Sequence, residues 1–203
     1  MLPTIGVVLT GGQSRRMGSP KALLRLPNGQ TFLEHALALL SSLTETQIVA
    51  GGEPEIIGQA AFPHLHINDL HPDEGPLAGI EAALATRLGS GYLIIASDQP
   101  KLSVELLQRL LNGNADRIHA FESDGIIIPL PIYVPQSALA SLTNVLRSAN
   151  RSVRRFIEAN NHELIPLPSN DVPLLRSVNT PEEYQALLAE LVAPAGGRRT
   201  FAN

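Results

Sequence analysis

The chain has 203 residues, 44% of them apolar and 17% charged, with a net charge of −4 and no cysteine. That length suits one compact domain burying roughly 70% of its unfolded surface, and the apolar share excludes a disordered chain. Without cysteine there is no disulfide framework, thiol nucleophile or cysteine-based metal site, and the acidic balance argues against a nucleic-acid-binding face. The opening Met1-Leu2-Pro3-Thr4 lacks the basic region and apolar stretch of a signal peptide, and no run approaches the ~20 apolar residues that span a bilayer. A cytoplasmic protein with a small phosphorylated ligand, and with neither nucleic acid nor membrane as partner, is the expectation.

In chain order, Thr4 to Leu9 is the first apolar, β-branched run and reads as a buried strand. It passes directly into Thr10-Gly11-Gly12-Gln13-Ser14-Arg15-Arg16-Met17-Gly18-Ser19-Pro20-Lys21. Glycines there let backbone N–H groups approach a triphosphate, and Arg15, Arg16 and Lys21 supply charge. The segment matches neither G-x-x-x-x-G-K-[ST] nor G-x-G-x-x-G. The alternative reading is a surface loop with solvated arginines.

A helical stripe of Phe32, Leu33, Ala36, Leu37 and Leu40 follows over 32–43, and the spacing repeats over 77–88 and 104–111. Strands are expected between them at 46–50, 65–68 and 92–96. This regular alternation implies a single-domain, doubly wound α/β fold: a mostly parallel sheet, helices on both faces, and ligands at the strands' carboxyl ends. The 92–96 strand delivers Asp98 to that edge, where a carboxylate suits Mg²⁺; the competing role is a helix cap.

The second half opens with strands at 117–121 and 126–134. Pro129 and Pro131 argue that the latter is an edge or irregular strand. Helices are expected at 136–148, 152–160 and 181–191, the last opened by a Thr180 cap, Pro181 and a capping-box glutamate. Residues 1–192 read as the domain and Ala193 to Asn203, small and Gly-rich, as a mobile tail. His64, His66 and His71 bring no Cys-rich or Glu-rich partner set, and so read as ordinary surface or packing histidines.

The stretch LTGGQSRRMGSPKALL (9–24) resembles the signature of the MobA-type nucleotidyltransferases, which make molybdenum-cofactor dinucleotides. Asp69 in HINDLHPDEGPLAGI, the GPLAGI stretch itself, Asp98 in IIASDQP and Asn179 in SVNTPEEY follow in the family's order, so the resemblance covers about residues 4 to 190. It implies a Rossmann-like domain of the nucleotide-diphospho-sugar transferase type, a Mg²⁺-bound triphosphate, and transfer of GMP from GTP to molybdenum-molybdopterin with release of pyrophosphate.

Carried over by position, the resemblance places Leu9, Thr10 and Gly11 at the base and ribose, and Gly12 and Lys21 at the phosphates. Asp69 joins them at the nucleotide, Gly75 to Gly79 lies beside the base, and Asp98 and Asn179 hold the metal. Lys21, Asp98 and Arg16 are the candidate catalytic residues. Arg147, Arg151, Arg154 and Arg155, at helical spacing in RSANRSVRRF, match a late basic stretch facing the cofactor, or else form a solvated helix face. Molybdenum-insertion or cofactor-carrier proteins are partners by the same resemblance.

Three departures stand out. Ala50-Gly51-Gly52 occupies the place of a family asparagine, Asp98-Gln99-Pro100 is closer to the cytidylyl branch, and IIIPLPIYVP lacks a terminal basic residue. A cytidylyltransferase, a sugar-1-phosphate enzyme and a non-catalytic nucleotide-binding accessory protein therefore stand beside the guanylyl reading. Retention of Lys21 and Asp98 argues against the last, and the absence of a sugar-binding insertion against the second.

Overall fold

The computed structural model describes residues 2–10, 20–68, 75–148 and 151–192. Its strands are β1 Thr4–Leu9, β2 Gln47–Ala50, β3 Leu65–Ile67, β4 Gly91–Ala96, β5 Ile118–Ser123, β6 Ile126–Pro135 and β7 His162–Pro166. The helices are α1 Phe32–Ser41, α2 Pro54–Ile57, α3 Pro76–Ala85, α4 Val104–Leu111, α5 Leu139–Leu146, α6 Val153–Glu158 and α7 Pro181–Val192. Three-residue or four-residue 3₁₀ turns at Lys21–Leu23, Gln136–Ala138 and Val172–Leu175 join them.

Among the described residues the strands form one sheet in the order β3-β2-β1-β4-β6-β5-β7, and all run parallel except β6. The order reverses between β1 and β4, so the switch point expected to hold a ligand lies beyond Leu9 and Ala96, which are register partners.

Both faces are covered, which explains why β1 reads as an unbroken apolar run rather than an alternating one. Ile5, Val7 and Leu9 pack with Leu77, Ile80, Leu142 and Phe156 under α3, α5 and α6. Val8 on the opposite face packs with Leu33, Leu37, Leu40 and Leu107 under α1 and α4. Gly6 completes that second face, because a Cβ there would lie 2.6 Å from Thr44 Oγ1 and 3.0 Å from Leu40 Cβ. Only glycine lets α1 lie that close to β1.

A third, smaller cluster of Leu26, Phe32, Val178 and Leu187, with Leu24 and Tyr184 against it, docks α7 beside the start of α1. Tyr184 meets Phe32 edge-on at 5.9 Å between ring centroids and donates its hydroxyl to the Arg25 carbonyl at 2.7 Å. Through these contacts the C-terminal helix is tied to the segment that follows Lys21.

Of the two expectations for 126–134, an edge strand or an irregular one, the first is corrected and the second holds: β6 is central, bonded to β4 and β5, and its pairing with β5 shifts register. The prolines fit because of a shift in register. Ala120 pairs with Ile132 but Phe121 pairs with Ile128, and the pairing of β4 with β6 extends only to Ile132. Residues 129–131 thus face no register partner, and Pro129 and Pro131, which have no N–H to give, fall in that span.

Helix α4 has the expected bounds, α1 and α3 end slightly earlier, and β7 was not foreseen. Its sequence HELIP has no run of β-branched residues; parallel pairing with β5, from Ile118 opposite His162 to Glu122 opposite Pro166, makes it a strand. Among the described residues no helix is long and apolar enough to cross a membrane. The tail at 193–203 lies outside the described residues.

Helix α1 begins with a capping box. Thr31 Oγ1 accepts the Glu34 N–H, and Glu34 Oε2 accepts the Thr31 N–H, which holds the Glu34 carboxyl below its usual range. One residue on, burial pushes the half-buried His35 imidazole below its ordinary value, partly opposed by the Pro100 carbonyl. The unfolded chain therefore takes up the His35 proton more readily than the folded one. His35 contributes stability that is present above about pH 6.5 and lost as pH falls from there toward the folded value. The melting temperature is expected to drop between about pH 7.5 and 5.5, and His35→Gln should flatten that drop. An unchanged pH profile in the variant would clear His35 of the effect.

Candidate functional site

At the switch point three side chains from distant parts of the chain converge. Lys21 enters the described structure on its 3₁₀ turn, just after Pro20. Its ammonium donates to Asp98 Oδ2 at 2.9 Å and to Asn179 Oδ1 at 2.7 Å. The Lys21 and Asp98 side chains are each 19% exposed, so the pair is partly screened from solvent but still reachable from it.

Each position follows from local structure. Asp98 stands in the turn after β4 and does not cap α4; Ser103 does, accepting the Leu106 N–H at 3.3 Å. Asn179 likewise leaves the capping of α7 to Thr180, whose hydroxyl accepts the Glu183 N–H at 3.2 Å. Glu183 Oε2 accepts the backbone N–H groups of both Asn179 and Thr180. The Asp98 carboxylate and the Asn179 amide oxygen are thus available to face a cation. Val178 N–H donates to the Asp98 carbonyl at 2.8 Å, which sets the two residues side by side.

Two oxygens closing on one ammonium show that the site accommodates a cation, and hard oxygen donors of this kind suit Mg²⁺. Among the described residues no group of three or more His, Cys, Asp or Glu could hold a metal ion. The histidines are otherwise engaged: His64 Nδ1 bonds the Phe62 carbonyl at 2.7 Å and His66 Nε2 the Gly51 carbonyl at 3.0 Å.

Leu9 is 6% exposed and its side chain belongs to the core, so only its backbone faces the switch point. Its carbonyl accepts the Ser97 N–H at 3.0 Å, joining β1 to the segment that leads into Asp98. Thr10 donates both its N–H, at 3.0 Å, and its hydroxyl, at 3.1 Å, to the Ala50 carbonyl. Gly52 has φ +79°, and a Cβ there would lie 2.7 Å from Thr10 Oγ1. Glycine at position 52 therefore lets the loop after β2 close over Thr10.

Gly75 precedes α3 with φ 73° and ψ −164°, a conformation nearly exclusive to glycine, and nothing lies within 4 Å of the place its Cβ would take. Backbone geometry, not crowding, requires glycine there. Gly79 is buried within α3. Gly11, Gly12, Arg16 and Asp69 lie outside the described residues, as does His71.

The four arginines do not share one helix. Arg147 is the C-cap of α5, Arg151 precedes α6, and Arg154 and Arg155 lie within it. Arg154 Nη2 donates to the Ile127 carbonyl at 3.0 Å, near the start of β6, which lies at the carboxyl ends of the parallel strands.

Gln99 is the residue whose role the sequence concealed. It is 5% exposed, and its amide is spent on backbone: Nε2 donates to Leu130 O at 3.1 Å and Leu175 O at 2.7 Å, while Oε1 accepts Ala96 N–H at 3.3 Å. So occupied, it reads no nucleobase. No signal in the sequence separates a buried tie of this kind from a ligand contact.

A doubly wound sheet with a lysine, a carboxylate and an amide oxygen gathered at its switch point is the architecture of a nucleotidyltransferase. The molybdopterin-guanine dinucleotide biosynthesis protein A of Archaeoglobus fulgidus shares the fold, with a TM-score of 0.70 at 23% identity over 90% of this chain and 95% of that one. The model of the MobA-like NTP transferase domain matches residues 6–164. Among curated proteins the chain is 34% identical to a probable molybdenum cofactor guanylyltransferase of Rhodopirellula baltica, over 89% of this chain and 90% of that protein. It is 33% identical to the molybdenum cofactor guanylyltransferase of Xanthomonas euvesicatoria, over 93% and 96%. The chain belongs to the MobA-like NTP transferase family, and it is a nucleotidyltransferase.

Proposed function

We propose that the protein transfers GMP from GTP to the terminal phosphate of molybdenum-molybdopterin, releasing pyrophosphate, with Mg²⁺ bound at Asp98 and Asn179. The observation that carries this reading is the convergence of Asp98 Oδ2 and Asn179 Oδ1 on the Lys21 ammonium at the switch point. The names of the two curated relatives supply the acceptor and the base.

In the reaction a terminal phosphate oxygen of the pterin attacks the α-phosphorus of GTP in line, a P–O bond forms, and the bond to pyrophosphate breaks. No side-chain nucleophile is needed, so positioning and charge carry the catalysis. When bound, Mg²⁺ supplies charge neutralisation on the triphosphate oxygens. Lys21 exchanges its carboxylate and amide partners for phosphate oxygens as the nucleotide enters, which keeps a positive charge at the developing negative one. Asp98 and Asn179 are then released to hold the cation. Thr10 and the closed loop at Gly51-Gly52 form the wall of the nucleotide site next to the carboxyl end of β1, and Arg154 lies on the same sheet edge for the acceptor's phosphate.

Lys21→Met removes this charge while keeping the length of the side chain. Its kcat/KM should fall by about 1.5–3 kcal/mol in transition-state terms, the worth of a charge-assisted hydrogen bond. Steady-state rates at saturating Mg²⁺ measure this, and a variant as fast as the wild type would take Lys21 out of the phosphate site.

The whole reading is tested with purified protein, Mg²⁺, molybdenum-loaded molybdopterin and each of the four nucleoside triphosphates, following pyrophosphate. Release with GTP alone is expected. Release with CTP instead would keep the chemistry and move the protein to the cytidylyl branch, while silence with all four would overturn the acceptor.

A further inference from the structure

The segment that carries Asn179 to the site is fastened at two points to two consecutive residues of the turn after β4. Val178 N–H bonds the Asp98 carbonyl at 2.8 Å, and Leu175 O accepts the Gln99 amide at 2.7 Å. Between them run only Arg176 and Ser177. The second proton of the Gln99 amide goes to Leu130 O at 3.1 Å, a carbonyl in the stretch of β6 that the register shift leaves without a strand partner. Its oxygen takes Ala96 N–H at 3.3 Å, at the end of β4. One buried amide thus joins β4, β6 and the Asn179 segment, and it does so one residue from Asp98.

We propose that Gln99 is a positioning residue that fixes the separation of Asp98 from Asn179, and thereby the affinity of the divalent-cation site; this rests on the metal reading given above. Asp98 and Asn179 come from distant parts of the chain, and a single backbone bond, Val178 N–H to the Asp98 carbonyl, directly joins their two segments beside the site. The Val178 bond fixes one point of the segment and the Gln99 bond a second, which together with the buried Val178 and Leu175 side chains sets how the segment presents Asn179. No other residue type offers two donors and an acceptor in the same plane at that reach except asparagine, which is one methylene short. A glutamate keeps the shape but turns an acceptor toward the Leu130 and Leu175 carbonyls, and a methionine keeps the volume while losing all three bonds.

The test is Mn²⁺ binding, read by electron paramagnetic resonance in the presence of a GTP analogue with a methylene bridge between the α- and β-phosphates. Wild type, Gln99→Met, Gln99→Glu and Leu142→Ala are compared, with kcat and KM for GTP measured beside them. Leu142 is fully buried on α5 and makes none of the bonds at Gln99, and so serves as a control for lost stability alone. Both Gln99 variants should bind Mn²⁺ about 10–100-fold more weakly, the range for losing a group that orients a metal ligand, and should lose kcat more than KM. Leu142→Ala should melt earlier with Mn²⁺ affinity unchanged.

A Gln99 variant that melts like Leu142→Ala yet binds Mn²⁺ as the wild type does overturns the inference. Should Gln99→Met fail to fold, the isosteric Gln99→Glu decides it on the same readout. Because binding needs only cation and nucleotide, a wild-type protein that binds both but releases no pyrophosphate with molybdopterin overturns the proposed reaction, and the Gln99 inference is still judged on the affinities.

Discussion

Asp98→Ala is expected to lower kcat/KM by at least about 2.7–4 kcal/mol in transition-state terms, the loss seen when one preorganised electrostatic group is deleted from an active site. The fold should survive. Asp98 holds the Asn179 segment through its backbone carbonyl, which the substitution keeps, and its ion pair with Lys21 is partly exposed and screened. Far-ultraviolet circular dichroism and the melting temperature should therefore stay near the wild type while pyrophosphate release collapses. Asp98→Asn sharpens the experiment, since it retains an oxygen at the same place but removes the charge. Wild-type turnover in either variant would remove Asp98 from the site.

The second large effect is on stability. Phe32 is fully buried in the small cluster that docks α7, with Leu26, Val178, Leu187 and the edge of the Tyr184 ring around it. Phe32→Ala should cost about 3–5 kcal/mol, the usual range for removing a buried aromatic ring, out of a total of about 5–15 kcal/mol for a domain of this kind. Denaturant unfolding measures it. The loss should not stop at stability: Val178 lines the same cluster and is followed directly by Asn179, so activity measured well below the melting transition should fall as well. A variant destabilised by under about 1 kcal/mol would mean that the cluster relaxes to fill the space.

Much of the first half of the chain was legible. The apolar stripe of 32–43 and the run of 4–9 bear the two periods that distinguish helix from strand, and their alternation implies a parallel sheet without further information. The second half was less so, because its elements are made by their neighbours. β6 reads as an edge or irregular strand by its prolines; it is irregular but central, since the register shift removes from the ladder the one stretch where prolines would interrupt it. β7 has no pattern of its own and owes its conformation to β5.

The candidate site divides in the same way. Lys21 and Asp98 stand out in a glycine-rich loop and at a strand end, each with a plainer alternative, a solvated loop and a helix cap, while Asn179 comes from the family resemblance alone. Their meeting at 2.9 and 2.7 Å required the fold. Gln99 could not be found at all, because a glutamine that reads a base and one that bonds three backbone groups are spelled alike.

What the sequence determined by itself was the set of elements whose pattern is local and, through its motifs, the family. Periodicity, glycine placement and charge act over a few residues, and so survive in a string of letters. The tertiary structure alone decided the place of β6, the closure of the Gly51-Gly52 loop on Thr10, and the tie from Gln99 to the Asn179 segment. Those depend on which carbonyls lack a strand partner and which side chains stand within hydrogen-bonding reach, and both are settled only when residues far apart in the chain are packed together.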